Sequence, residues 1–130
     1  MALDDNEYVH VAEFRSALRR FLRHTETVAR SAGLTPQRYL LLLMIKGAPD
    51  GSERSTVTEL SDRLQLAQST VTELVGRAEQ AGLLIRRPSE TDARVAYVCL
   101  TEEGERRLGR AFTTLESDRE TLRETILHLE

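Results

Sequence analysis

Residues 68–83 read QSTVTELVGRAEQAGL, with apolar side chains at Val71, Leu74, Val75 and Ala78. The spacing i, i+3, i+4, i+7 is one stripe of an amphipathic α-helix. Ser69, Thr72, Glu73, Gly76, Arg77 and Gln80 fall on the opposite side. The pattern predicts a helix of ~14 residues, ~21 Å long, whose leading end carries small polar side chains. Gly82 follows as a left-handed cap residue, and Leu83 folds back onto the stripe. Just upstream, residues 58–64 read as a short helix with Thr58 as N-cap and Leu60 and Leu64 turned inward. Gln65, Leu66 and Ala67 form the turn between the two, which is helix-turn-helix spacing. Downstream, residues 84–88 and 94–100 read as two strands around a polar tip at 89–93. A helix-turn-helix followed at once by a hairpin is a winged helix. Short hydrogen-bonding side chains at the leading end of such a helix suit entry into a DNA major groove.

The flanking segments carry a different pattern. A first helix from about Glu7 to Ala32, capped by Asp4 or Asp5, places Val11, Phe14, Leu18, Phe21, Thr25, Val28 and Ala32 at alternating spacings of three and four. That is a heptad seam, which calls for another long helix in the same chain or a partner. Gly33 ends the helix. Thr35 and Pro36 then start a second one as N-cap and N1. Residues 40–45 are apolar on every side, which predicts a buried hub. Residues 47–55, GAPDGSERS, read as a loop, and Thr56-Val57 as a short strand beside the wing. Thr101 caps the last helix, with Glu102 and Glu103 at its positive end. Leu108, Phe112, Leu115, Arg119, Leu122, Ile126 and Leu129 form a second seam. No proline interrupts it, so one long helix, bent near Gly109, is expected. Arg119 breaks the seam, either as a solvated or acid-paired arginine that fixes register or as an anion contact.

The run TVTELVGRAEQAGLLIRRPSETDARVAYVCLTEEG resembles the MarR-type (multiple antibiotic resistance regulator) bacterial transcription factors. The matching pieces are Ser69-Thr70-Val71-Thr72, Ala81-Gly82-Leu83, Arg86-Arg87, Asp92-x-Arg94, and residues 100–104, LTEEG. The resemblance extends from about Phe14 to Leu115. It implies one domain over 1–130, mainly α with a small β-wing: a winged helix-turn-helix at 35–101 between long dimerisation helices at 1–34 and 102–130. These would intertwine across a two-fold axis through Val11, Phe14, Leu18, Phe21, Leu115, Leu122, Ile126 and Leu129. Gln68, Ser69, Thr70, Thr72, Glu73 and Arg77 would face DNA. Arg86 and Arg87 would lie at the wing's entry, and Arg94, steadied by Asp92, would enter a minor groove, where arginine reads width and negative potential. Without the resemblance, Asp92 and Arg94 are an ordinary solvated pair. Family members often bind small aromatic or acidic effectors, and the equivalent wall here is Phe14, Arg15, Arg38, Tyr39 and Leu43. Three departures stand out. Glu73 replaces a residue that is often basic, Ala67 stands where a capping serine is usual, and the 47–55 loop is longer than usual. The family also commonly ends in two helices separated by a loop.

Composition narrows the function. At 130 residues the chain is one domain. Its net charge of −3 looks unfavourable for DNA. However, residues 60–100 hold five basic and five acidic groups, whereas 101–130 hold five and eight. The acidity therefore sits away from the reading helix, and local field governs DNA binding more than total charge. No apolar run approaches the ~18 residues of a membrane span. The acidic N-terminus does not read as a secretory signal, and a cytoplasmic location follows as the default. Cys99, the single cysteine, precludes an internal disulfide. Alternating with Tyr97 and Val95, it reads as a buried core thiol. His10, His24 and His128 show no metal-ligand spacing, so neither metal nor cofactor is expected. Nor does any phosphate loop, nucleophile elbow or acid cluster point to an enzyme. The reading is a homodimeric DNA-binding repressor of a near-palindromic operator, relieved by a small aromatic or acidic effector. The rival is a winged-helix interaction module that pairs with another regulator and does not read DNA, a reading that Glu73 and the acidic balance keep open.

Overall fold

Leu41, Leu42 and Ile45 have no exposed surface. They lie on α2 (Pro36–Lys46) in the computed structural model, where residues 4–129 are described. Around it stand α1 (Asp5–Ser31), β1 (Arg54–Ser55), α3 (Val57–Leu64), α4 (Gln68–Gln80), β2 (Leu84–Pro88), β3 (Ala96–Leu100), α5 (Glu102–Thr114) and α6 (Glu116–Leu127). Of these, α2 packs against α1, α3, α4, α5, β1 and β3. The three strands form one antiparallel sheet in the order β1-β3-β2. The architecture is the winged helix expected, mainly α with a small β-wing, and α2 is its hub. Its burial is not all-round, however, because Leu40 remains 42% exposed.

Local chemistry accounts for the element boundaries. Asp4 caps α1 by accepting the Asn6 N–H at 2.9 Å. Thr35 caps α2 by accepting the Arg38 N–H at 3.1 Å. The short strand falls at Arg54–Ser55, not at Thr56-Val57, because Thr56 is the N-cap of α3. Its hydroxyl accepts the Glu59 N–H at 3.1 Å, and the Glu59 carboxylate accepts the Thr56 N–H at 3.0 Å. This reciprocal capping box displaces the cap predicted at Thr58. Thr58 instead lies in the first turn of α3 and accepts a bond from Gln68 Nε2 at 3.3 Å. The third strand starts at Ala96, leaving Arg94 and Val95 in the tip.

The C-terminal segment is two helices, with the break at Leu115 rather than a bend near Gly109. Leu115 is fully buried in the protomer's own core. It therefore has no surface to give a partner, contrary to its expected place in a dimer seam. Phe112 lies in the last turn of α5, where carbonyls lack in-helix partners. The Arg119 guanidinium donates to the Phe112 carbonyl at 2.8 Å and stacks 3.8 Å from the ring centroid. Thus the residue that interrupts the seam caps the helix break. α6 packs back on α1, where His24 Nδ1 meets Asp118 Oδ1 at 2.9 Å.

Two contacts tie α5 to the rest. A Cβ on Gly104 would lie 2.3 Å from the Leu83 carbonyl oxygen, so only glycine fits there. The Thr101 N–H donates to that same oxygen at 3.0 Å, and Thr101 Oγ1 donates to the Gly82 carbonyl at 2.6 Å. On the other side, Arg107 donates to the Gly33 carbonyl at 3.0 Å and to Glu103 at 2.7 Å. Hydrogen bonds from Arg106 and then Arg107 hold the Glu103 carboxyl down to about 2. Because that value lies below its ordinary 4.5, the pairing is complete above pH 4.5 and is lost only as pH falls toward about 2.

Thr56→Ala removes one half of the capping box and should lower unfolding free energy by ~1 kcal/mol in urea denaturation. Thr58→Ala at the neighbouring position should cost less, and equal losses would contradict the assigned cap.

Candidate nucleic-acid interface and the adjoining cavity

α4 buries Val71, Val75 and Ala78 and leaves Gln68, Ser69, Thr70, Thr72, Glu73, Arg77 and Gln80 exposed. The apolar stripe thus packs on the core while the small polar leading end faces outward. Ala67 occupies the N-cap position with extended backbone and makes no side-chain cap bond, as its methyl dictates. At the other end, Gly82 adopts φ +77° and Leu83 is fully buried. Glu73 and Arg77 pair as i and i+4 neighbours, so neither charge is presented alone. Arg86 is committed to Glu79 at 3.2 Å, which ties β2 back to α4.

The wing tip is differently arranged. Asp92 Oδ1 accepts from the Arg94 backbone N–H at 3.0 Å and from its Nε at 3.1 Å, while Oδ2 accepts from Nη2 at 3.3 Å. Arg94 nevertheless remains 91% exposed. The arginine's side-chain and backbone bonds hold the Asp92 carboxyl below the usual carboxylate range. Their pairing therefore persists through neutral pH and is lost only as acid protonates Asp92.

The outer face of the sheet places Cys99 opposite both Arg54 and Ile85. Cys99 is half-exposed, not a buried core thiol, because Val98 supplies the buried side of β3. It lines a cavity of about 230 Å³ with Arg87 and Tyr97, over whose ring Arg54 stacks at 4.0 Å.

A larger cavity, about 380 Å³, lies between α1, α2 and the α5–α6 break. Tyr39 and Leu43, two of the five residues expected in an effector wall, line it. Phe14, Arg15 and Arg38 do not. The α1 residues that reach it, Phe21, Leu22, Thr25 and Glu26, lie about two turns further along. On the opposite wall stand Phe112, which the sequence reading placed only in the seam, and Arg119, for which it offered an anion contact without locating this cavity. Their signal was the basic residue inside an otherwise apolar seam. Burial raises the Tyr39 hydroxyl's pKa, partly offset by nearby Arg119, so this phenol is neutral at physiological pH.

Of the terminal seams, Phe14, Leu18, Phe21 and Leu122 are half-buried within the protomer, and Val11, Ile126 and Leu129 are exposed. Among the described residues, no helix is long and apolar enough to cross a membrane.

Two helices joined by a short turn, the second packing an apolar stripe inward, followed by an arginine-tipped hairpin, define a winged helix-turn-helix protein. A sequence profile of the MarR family matches residues 32–95, from the end of α1 to the wing tip. The uncharacterized HTH-type transcriptional regulator YsmB of Bacillus subtilis (strain 168) is 30% identical over 105 residues, 75% of this chain and 66% of that protein. The organic hydroperoxide resistance transcriptional regulator of the same strain is 37% identical over 71 residues, 55% of this chain. That match spans about half of the regulator's length, 46%. A MarR mutant from E. coli complexed with operator DNA superposes with a TM-score of 0.69 at 18% identity, covering 94% of this chain and 85% of that one. The chain belongs to the MarR family.

Ala67→Ser supplies the missing cap and should raise stability by ~0.5–1 kcal/mol in denaturant titration. No gain would mean that the α4 amides are already satisfied.

Proposed function

We propose that this chain is a dimeric DNA-binding transcriptional regulator, acting in the cytoplasm as a repressor of a near-palindromic operator. Arg94 carries the reading. It is a guanidinium pre-set by Asp92 at the end of a hairpin, almost fully exposed, beside a helix whose leading end offers Gln68, Ser69, Thr70 and Thr72. That combination suits α4 in a major groove and Arg94 in the adjacent minor groove. Exposed Tyr8, Val9 and Val11 on α1, with Ile126, Leu127 and Leu129 at the end of the chain, supply the apolar surface that a second copy would cover. Two-fold symmetry then places half-sites about one helical turn apart. The 380 Å³ cavity adjoins both the hub helix and the terminal helices. A small acidic or aromatic effector bound there would shift the spacing of the two reading helices and release the operator.

The interaction-module reading draws support from Glu73, whose pairing with Arg77 leaves no free positive charge in the middle of α4. Selection from random duplex DNA, followed by anisotropy titration at several salt concentrations, separates the two. An enriched palindrome with a steep salt slope supports the regulator, since phosphate contacts release counterions. No enrichment and weak binding favour the interaction module.

Arg94→Ala should weaken operator binding by ~1–3 kcal/mol and leave the oligomeric state unchanged in sedimentation. The double change Val11→Asp, Ile126→Asp should yield a folded monomer with much weaker operator binding; a persistent dimer would move the interface elsewhere.

A further inference from the structure

We propose that the effector cavity continues past Phe112 into a second lobe, and that the two lobes together take a linear aliphatic carboxylate rather than a compact aromatic acid. This rests on the effector reading given above. The second lobe, about 350 Å³, lies between α2 and α5 and is lined by Leu43, Gly47, Leu108, Gly109 and Phe112, with Lys46 and Glu105 also on its wall. Leu43 and Phe112 line both lobes, so this side-chain pair is the partition between them. Either lobe alone is near the lower end of the ~300–1,000 Å³ found for ligand pockets, and the pair reaches mid-range. Together they follow α2 from Pro36 to Gly47, a run of ~16 Å at helical rise. An extended chain fills such a groove, whereas a single ring fills one lobe.

Charge sets the direction of the ligand. Among the described residues no carboxylate pairs with Arg119, whose partners are the Phe112 carbonyl and ring. At the other end, Lys46 is already held by Glu53 at 3.0 Å and Glu105 at 2.9 Å. One anionic head therefore belongs at Arg119 and an uncharged tail toward Gly109. Glu26 also lines the first lobe, where Arg119 is the one cation among the described lining residues; its carboxylate repels any anion, so at most one head is held there. Phe112 is the movable part of the partition. The residue remains 43% exposed, and its ring lies under the Arg119 guanidinium. A carboxylate that takes the guanidinium competes with that stack, freeing the ring to swing aside for the tail.

The test is calorimetric titration of the full chain with hexanoate, octanoate, decanoate and dodecanoate, below their micelle concentrations, with benzoate as the compact probe. Affinity should rise about threefold to fourfold per methylene, and benzoate should bind no more tightly than hexanoate. Gly109→Leu fills the second lobe, at a position where a Cβ meets nothing within 4 Å. It should flatten the gain for decanoate and dodecanoate and leave hexanoate unchanged. Arg119→Gln should weaken every acid at least tenfold. Benzoate binding tightest, with no chain-length trend, would overturn the second lobe while leaving the effector reading intact. A chain-length trend that survives Gly109→Leu would overturn it as well. Binding of none of the acids would remove the effector reading and this inference together, while the operator titration would still decide the regulator.

Discussion

The Leu83 carbonyl is the point through which α4, the wing and the C-terminal helices are joined. Leu83 sits in the turn between α4 and β2, and its oxygen accepts the Thr101 N–H at the start of α5. Gly104 approaches the same oxygen so closely that any side chain would force the two elements apart. Backbone-to-backbone contact of this kind has no rotamer to relax, so a displacement of α5 must be passed to α4 and β2 together. Thr101 reinforces the joint from both directions, capping α5 through its hydroxyl oxygen and donating to the Gly82 carbonyl. Any coupling between the cavity beside α5 and the exposed face of α4 has this short physical route.

The hub helix serves as the second fixed body. α2 supplies fully buried leucine and isoleucine side chains to the core on one side and cavity wall on the other. Arg63 reaches across from α3 to the Met44 carbonyl at 2.6 Å, holding the helix-turn-helix against the same element. At its end, Lys46 gathers Glu53 from the long loop and Glu105 from α5. The hydrogen bonds that its ammonium donates to Glu105 and then to Glu53 raise the lysine's pKa. Exposure and solvent screening keep such a triad from contributing much stability. Its role is positional, since it fixes the loop against the helix rather than leaving it to swing.

The sequence displayed most of this fold because periodicity and cap chemistry act locally. The α4 stripe, the left-handed turn at Gly82, the Thr35-Pro36 start and the Thr101 cap all follow from residues within one or two turns. The capping box at Thr56 was equally legible, in Thr56-x-x-Glu59, but Thr58 offered a competing cap. What could not be read depends on distant contacts. Leu115 looks like a seam residue by spacing, yet the chain turns there and buries it, with Arg119 supplying the missing partner for a helix-end carbonyl. Cys99 alternates correctly for a strand, but which face is the inner one was fixed by pairing with β1 and β2. The cavity wall was misplaced along α1 for the same reason: spacing gives the face of a helix but not where another helix crosses it.

The wing tip repays one more look in terms of entropy. A surface arginine is normally among the most mobile side chains, and immobilising one costs ~0.5–1.5 kcal/mol at the moment of binding. The Arg94 guanidinium makes two bonds, and its backbone N–H a third, to a single carboxylate two residues away, and the Ser89 hydroxyl in turn accepts the Asp92 N–H at 3.3 Å. The conformational cost is met when the hairpin folds. The guanidinium is thereby biased toward one orientation before anything touches it, and the tip has less order left to impose on contact.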